Sequence, residues 1–131
     1  MKFYTGCDII EVSRIEKAIN ESFLKDKVFT DNEIKYCDSK NVMAVEHYAA
    51  RFAGKEATFK AISNLLLNNY SLGFKDIEIM NEENGRPYVT IIKRDVKFKD
   101  PHMNLGKITF DITLSHLKDY AIANVVAAVD D

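Results

Sequence analysis

The stretch Tyr48-Ala49-Ala50-Arg51-Phe52-Ala53-Gly54-Lys55-Glu56-Ala57-Thr58-Phe59-Lys60-Ala61 decides how this chain folds. Alanine is the strongest helix former, and the stretch reads as the middle of a long helix from about Val42 to Leu67, interrupted by Gly54. At about 100° per residue, Tyr48, Phe52, Phe59 and Leu66 share one apolar stripe. Glu56 falls inside that stripe, within about 40° of Phe52. A carboxylate on a face that should be buried is costly unless something positive meets it. Lys60, one turn later, is the local candidate. Two readings stand. One is an ordinary i,i+4 Glu–Lys pair worth about 0.2–0.5 kcal/mol; the other is a metal or phosphate site built from Glu56, Lys60 and partners elsewhere. Alanines at 49, 50, 53, 57 and 61 spread apolar surface around the helix, so it should be buried on several sides.

Upstream of the helix, residues 2–12 read as a strand, with Phe3, Thr5, Cys7 and Ile9 on one face and Tyr4, Gly6, Asp8 and Ile10 on the other. Asp8 is anomalous there, because Asp is depleted in strands and this one precedes Ile9-Ile10 rather than turn residues. Gly6 would let backbone or ligand approach closely. Ser13-Arg14-Ile15-Glu16 has the pattern of a capping box, predicting a helix with Arg14 and Lys17 outward. Thr30-Asp31-Asn32-Glu33 is a second such pattern, opening a short helix to about Cys37.

Downstream, residues 68–73 read as a loop, and Phe74–Met80 and Tyr88–Ile92 as strands joined by Asn84-Gly85, the strongest short hairpin signal. Residues 93–106 are a charged connection with one helical turn. Lys107–Leu114 alternates cleanly, with Ile108, Phe110, Ile112 and Leu114 on one face. After a turn at Ser115–Asp119, Tyr120–Val129 completes a second hairpin. Helices segregated from antiparallel strands predict an α+β fold: one long buried helix and shorter helices on a small antiparallel sheet.

At 131 residues the chain reads as a single domain, 1–131, with room for a real core. Its composition, 47% hydrophobic and 29% charged, is that of a soluble globular protein. A net charge of −2 gives no global basic field for nucleic acid. Arg14, Lys17, Lys25 and Lys27 nevertheless cluster. Cys7 and Cys37 form neither a zinc spacing nor a disulfide framework. No apolar run approaches the ~20 residues of a membrane span, and no signal peptide precedes the first strand. A cytoplasmic location is expected.

No Walker loop, GxGxxG, GxSxG or HExxH is present. The chemistry-bearing residues sit at three separated places: Asp8, then Glu56 with Lys60, then Ser115-His116. Two carboxylates in apolar contexts suit Mg²⁺, which commonly takes one or two plus phosphates and water. A lysine one turn away can meet a phosphate oxygen as a point charge. His47 and His102 have no partners at ligand spacing.

Gly6-Cys7-Asp8-Ile9, Arg51-Phe52-Ala53-Gly54-Lys55-Glu56-Ala57 with Lys60-Ala61, and Ser115-His116-Leu117-Lys118-Asp119-Tyr120-Ala121 together resemble the signatures of the 4′-phosphopantetheinyl transferases. Size and order match the holo-[acyl-carrier-protein] synthase branch, and Asn84-Gly85-Arg86-Pro87 fits its hairpin. The resemblance covers about Gly6 to Val126. It implies an enzyme of that fold that moves 4′-phosphopantetheine from coenzyme A to the acceptor serine of apo-acyl carrier protein, releasing 3′,5′-ADP in support of fatty acid biosynthesis. Asp8 and Glu56 would bind Mg²⁺. Glu56 or a metal-bound water would be the base, and Lys60 would stabilise phosphate charge or protonate the leaving group. Arg51, Lys55, Lys60, Pro87, Ser115 and His116 would line the coenzyme site. Arg14, with Lys17 beside it, would dock the acidic helix of acyl carrier protein. A homotrimer with active sites shared between subunits is also implied. The alternative is a non-catalytic oligomeric module that binds coenzyme A or carrier protein. In one departure from the family pattern, Ile62-Ser63-Asn64-Leu65-Leu66-Leu67 stands where relatives often carry a Gly-rich segment.

Overall fold

The structure, a computed structural model, describes residues 1–21 and 24–131. Its elements run β1 (Lys2–Glu11), α1 (Val12–Glu21), α2 (Leu24–Val28), α3 (Asp31–Asp38), α4 (Ala44–Ile62), β2 (Ile77–Asn81), β3 (Pro87–Ile91), β4 (Ile108–His116) and β5 (Tyr120–Val129). The α+β expectation holds. A three-stranded antiparallel sheet has the order β1-β5-β4, and β2 and β3 form a separate two-stranded hairpin. Asp8 pairs with Ala123 across β1 and β5, and His116 with Ala121 across β4 and β5.

Helix α4 is the core of the molecule. Ala49, Ala50, Ala53, Ala57 and Ala61 are all buried, as expected for a helix covered on several sides. Its C-terminal half packs against Ile108, Ile112, Ala123, Val125 and Ala127 of the sheet and Ile77 and Ile79 of the hairpin. Its N-terminal half packs with Val12, Ile15, Val28 and Phe29. Two glycines permit the closest approaches. A Cβ at Gly6 would lie 1.9 Å from the Ala57 carbonyl oxygen, and one at Gly54 would lie 2.4 Å from Ile79 Cδ1.

Several expectations need correction. Helix α4 is shorter than its apolar pattern suggested, because Asn41–Met43 forms a 3₁₀ turn and the helix ends at Ile62. Leu66 is buried as expected, but through an antiparallel bridge to Phe98, beside Leu67 N–H donating to Lys97 O at 2.9 Å. The connection 93–106 thus clamps the segment after α4. Ser13 does not cap α1, which starts one residue earlier at Val12; the Val12 N–H donates to Asp119 O at 2.9 Å. The Thr30–Glu33 capping box forms as read, opening α3. Strand β2 begins only at Ile77, after a 3₁₀ turn over Phe74–Asp76. The Asn84-Gly85 turn forms, with Gly85 at φ 89°, a conformation that glycine adopts at no steric cost. Cys7 is exposed on the outward sheet face.

Substituting Gly6 by Ala should cost about 1–3 kcal/mol or more, since the new methyl meets helix backbone rather than a movable side chain. Urea denaturation checks this; an unchanged midpoint would mean that β1 and α4 are free to part at this crossing.

Candidate active site

The strand–helix crossing at Gly6 brings together residues far apart in the chain. Asp8 lies two residues beyond Gly6 on the same strand face, and Lys60 adjoins Ala61, the other backbone that Gly6 touches. Lys60 Nζ consequently lies 3.1 Å from Asp8 Oδ1 and donates to the Cys7 carbonyl at 3.1 Å. Asp8 is 16% exposed and Lys60 51%. Glu56 is half-buried in the same place. Burial raises its carboxyl pKa above the ordinary value, the charge of Asp8 raises it further, and Lys60 partly opposes both. Two carboxylates and one ammonium leave this cluster one negative charge in surplus. A cavity of about 280 Å³ opens beside Glu56, lined also by Phe59, Leu72, Phe74 and Ile77.

Lys55, expected to line a coenzyme site, borders this cavity too, but its ammonium is tied up within the fold. It is fully buried. Its ammonium pairs with Glu33 Oε1 at 2.7 Å and donates to Phe74 O at 2.9 Å and to Ile77 O. Three protons meet three acceptors, so none is left for a phosphate. Burial lowers its pKa, and Glu33 pulls the other way. Glu33 also accepts from Thr30 N–H and Ile79 N–H, each at 2.8 Å. This buried pair joins α3, α4 and β2.

A second polar cluster forms where Arg51, Pro87 and His116 line a cavity of about 240 Å³ with Tyr36, His47 and Asn81. Arg51 is only 1% exposed. Its guanidinium lies 4.1 Å from the Tyr36 ring centroid and donates to Asn81 Oδ1. The Asn81 amide is in turn held by Gly85 O at 2.7 Å, so the hairpin turn aims it. Arg51 Nε is buried without a hydrogen-bond partner among the described residues. His116 Nδ1 lies 2.8 Å from Glu46 Oε1, and its ring meets His47 edge-on at 5.0 Å. Burial, then the nearby His116 and Arg51, push His47 down to about 4. Ser115 is apart from both clusters. Strand alternation turns it to the outward, exposed face, opposite Ile122.

Arg14 and Lys17 are exposed on α1 and form no ion pair with another described residue. Lys25 is different: it pairs with Asp38 at 3.2 Å and lies 5.4 Å over the Tyr48 ring, bracing α2 on α3 and α4. Sequence reasoning missed Glu33, Glu46, His47 and Asn81. For His47 a signal existed, since it lies four residues before Arg51 and therefore on the same helix face. For Glu33 there was none, because its capping role already accounted for it.

Residues 4–125 match the family model of the 4′-phosphopantetheinyl transferase superfamily. The chain is 41% identical to the holo-[acyl-carrier-protein] synthase of Ruminiclostridium cellulolyticum, covering 100% of this chain and 96% of that one. Among solved structures, the Bacillus anthracis holo-(acyl-carrier-protein) synthase in complex with CoA (3′,5′-ADP) superposes with a TM-score of 0.75 at 29% identity, over 97% of this chain and 96% of that one. The Helicobacter pylori synthase in complex with coenzyme A gives 0.68 at 27% identity, over 96% and 99%.

Lys55→Met should lower the unfolding free energy by about 3–5 kcal/mol, because it strands a buried carboxylate. Pairing it with Glu33→Met should recover part of that loss, the remainder being the orphaned Thr30 and Ile79 amides. Chemical denaturation of the two variants measures this, and a Lys55→Met protein as stable as the parent would contradict the buried pair.

Proposed function

The chain belongs to the 4′-phosphopantetheinyl transferase superfamily, and we propose that it is a holo-[acyl-carrier-protein] synthase, transferring 4′-phosphopantetheine from coenzyme A to the acceptor serine of apo-acyl carrier protein. The observation that carries this reading is the convergence of Asp8, Glu56 and Lys60 from two elements onto one half-buried site. A module that only binds coenzyme A gives no reason for two carboxylates to press against each other there.

The donor set fits Mg²⁺. Among the described residues no three His, Cys, Asp or Glu side chains gather as a self-sufficient metal site, but Mg²⁺ commonly takes one or two carboxylates and completes its shell with phosphates and water. Asp8 and Glu56 would hold it; burial, and after it the charge of Asp8, raise the Glu56 pKa, and a cation there would offset both. When bound, the ion supplies Lewis-acid stabilisation of charge on the phosphate oxygens. The protein's own residues do the rest. Glu56, its carboxyl pKa raised by burial and by Asp8, accepts the proton of the serine hydroxyl. The serine oxygen bonds the β-phosphorus of coenzyme A while the bond to the bridging oxygen breaks. Lys60 meets the charge that builds on the phosphates and protonates the departing 3′,5′-ADP. Such transfer needs positioning and charge more than covalent help.

In the second cavity, Arg51, Pro87 and His116 hold the coenzyme, with the unpartnered Arg51 Nε as an anion donor. Arg14 and Lys17 present unpaired positive charge to an acidic carrier protein and speed encounter. The outward sheet face exposes Phe3 (64%), Ile9 (63%) and Val126 (40%), an apolar surface of the kind that marks interfaces. That supports a homotrimer with active sites shared between subunits, in which Ser115 on this face reaches the coenzyme of a neighbour. No helix among the described residues is long and apolar enough to cross a membrane. Fatty acid biosynthesis in the cytoplasm is the setting this activity serves.

Incubation with apo-carrier protein, coenzyme A and Mg²⁺ should add one phosphopantetheine to the carrier's mass; no addition under any divalent ion would overturn the reading. Glu56→Gln should cut turnover by about 10²–10⁴-fold. The same change should stabilise the fold in chelator at pH 7. A carboxyl whose folded pKa is raised weakens the fold when ionised, and the penalty vanishes below its unfolded pKa of about 4.3. Melting curves of the two proteins should therefore converge near pH 4. A parent more stable than the variant at pH 7 would reverse that sign.

A further inference from the structure

We propose that Glu46 is a positioning residue for the coenzyme groove, acting through His116. The inference rests on the reading above that His116 touches coenzyme A. Glu46 and His116 lie 70 residues apart in the chain, yet Glu46 Oε1 sits 2.8 Å from His116 Nδ1. Both are largely buried, at 15% and 24% exposure. An ionised carboxylate can only accept, so Nδ1 carries the proton of this hydrogen bond. Nε2 is thereby the ring nitrogen left for a ligand in the cavity that His116 lines. A carboxylate behind an imidazole fixes both its tautomer and its orientation.

The surroundings suit that task. Glu46 lies in the first turn of α4, where the helix dipole favours a negative charge. His47 braces the His116 ring edge-on at 5.0 Å and itself leans on Tyr36 at 5.7 Å. Because His47 is uncharged at neutral pH, it does not compete for the carboxylate as a cation. Arg51 is engaged by Tyr36 and Asn81. Lys118 and Asp119, on the turn between β4 and β5, share a cavity with Glu46 on its other side. Glu46 precedes Glu56 by ten residues, about 15 Å along the helix axis. Its removal should therefore weaken coenzyme capture and leave the transfer step alone.

The test is a double-mutant cycle on the full protein, with KM for coenzyme A and kcat measured for Glu46→Ala, His116→Ala and the pair, and melting curves to check each fold. Loss of one charge-assisted hydrogen bond predicts a KM about 10-fold higher for Glu46→Ala, with kcat within about twofold. In the His116→Ala background, removing Glu46 should change KM by less than about twofold. Glu46→Gln, whose amide oxygen still accepts from Nδ1, should restore most of the affinity, and it carries the cycle if Glu46→Ala does not fold. An equal KM effect with and without His116, a fall in kcat alone, or no effect at all would overturn the role of Glu46. If His116→Ala itself leaves KM unchanged, His116 is not in the coenzyme site, and the placement of the groove falls together with this inference.

Discussion

The closeness of β1 to α4 is the constraint from which the active site follows. At the crossing, Gly6 faces the Ala57 carbonyl and the Ala61 amide with no room for a methyl group between them. Glycine on one side and alanine on the other are the residues that allow two backbones to meet this closely. Asp8 is carried by the same strand face one pleat further on, about 7 Å away, and so arrives beside Lys60. A larger residue at position 6 would push the strand outward and take Asp8 with it. One turn before Ala57, on nearly the same helix face as Ala61, Gly54 admits the side chains of Ile79 and Ile112. The helix is thus held slim at the level of Glu56.

The second hold is the buried Glu33–Lys55 pair. Burying two charges costs several kcal/mol each unless hydrogen bonds offset it, and here the carboxylate accepts three of them while all three ammonium protons find acceptors. Glu33 takes two backbone amides and the ammonium; Lys55 takes the carboxylate and two backbone carbonyls. The acceptors and donors come from the turn before α3, from β2 and from the 3₁₀ turn ahead of it. One residue later the helix has rotated by about 100°, and Glu56 is only half-buried beside the cavity that both residues line. Adjacent residues of opposite charge therefore do unrelated things: Lys55 locks the fold and Glu56 strains it.

Patterns that depend on local periodicity were legible in the sequence. The alternation of Ile108, Phe110, Ile112 and Leu114, the Asn84-Gly85 turn and the alanine-rich helix all express short-range rules, and those elements formed, though α4 ends at Ile62 and β4 runs on to His116. Asp8 was marked out in the same way, because a carboxylate within an apolar strand breaks a rule, and the structure sets it beside Lys60. Less legible was whatever depends on what packs opposite. Nothing local says that Leu66 leaves the helix to bridge Phe98, or that Ser115 and His116 face opposite ways once β4 extends through both. The ion pair of Lys55 was hidden for the same reason. Its partner Glu33 lies 22 residues away, already accounted for by the α3 cap, and a motif shared with relatives does not say which of its polar residues points inward.

Two charge imbalances remain when the fold is complete, and they have opposite sign. At Asp8, Glu56 and Lys60 one negative charge is unmatched, and burial, then the charge of Asp8, raise the carboxyl pKa of Glu56. At Arg51 a buried guanidinium keeps one nitrogen unpartnered, beside two imidazoles. Either site could be relieved within the chain by a single substitution, a glutamine at 56 or a leucine at 51, with no cost to the helix, whose propensity for these residues is similar. A fold shaped by stability alone has no reason to keep both. A ligand that brings a divalent cation to the first site and phosphate oxygens to the second neutralises the two together. On the function proposed above, the strain at Glu56 and the vacant donor of Arg51 would be two halves of one recognition problem, set by a metal-bound phosphate ester.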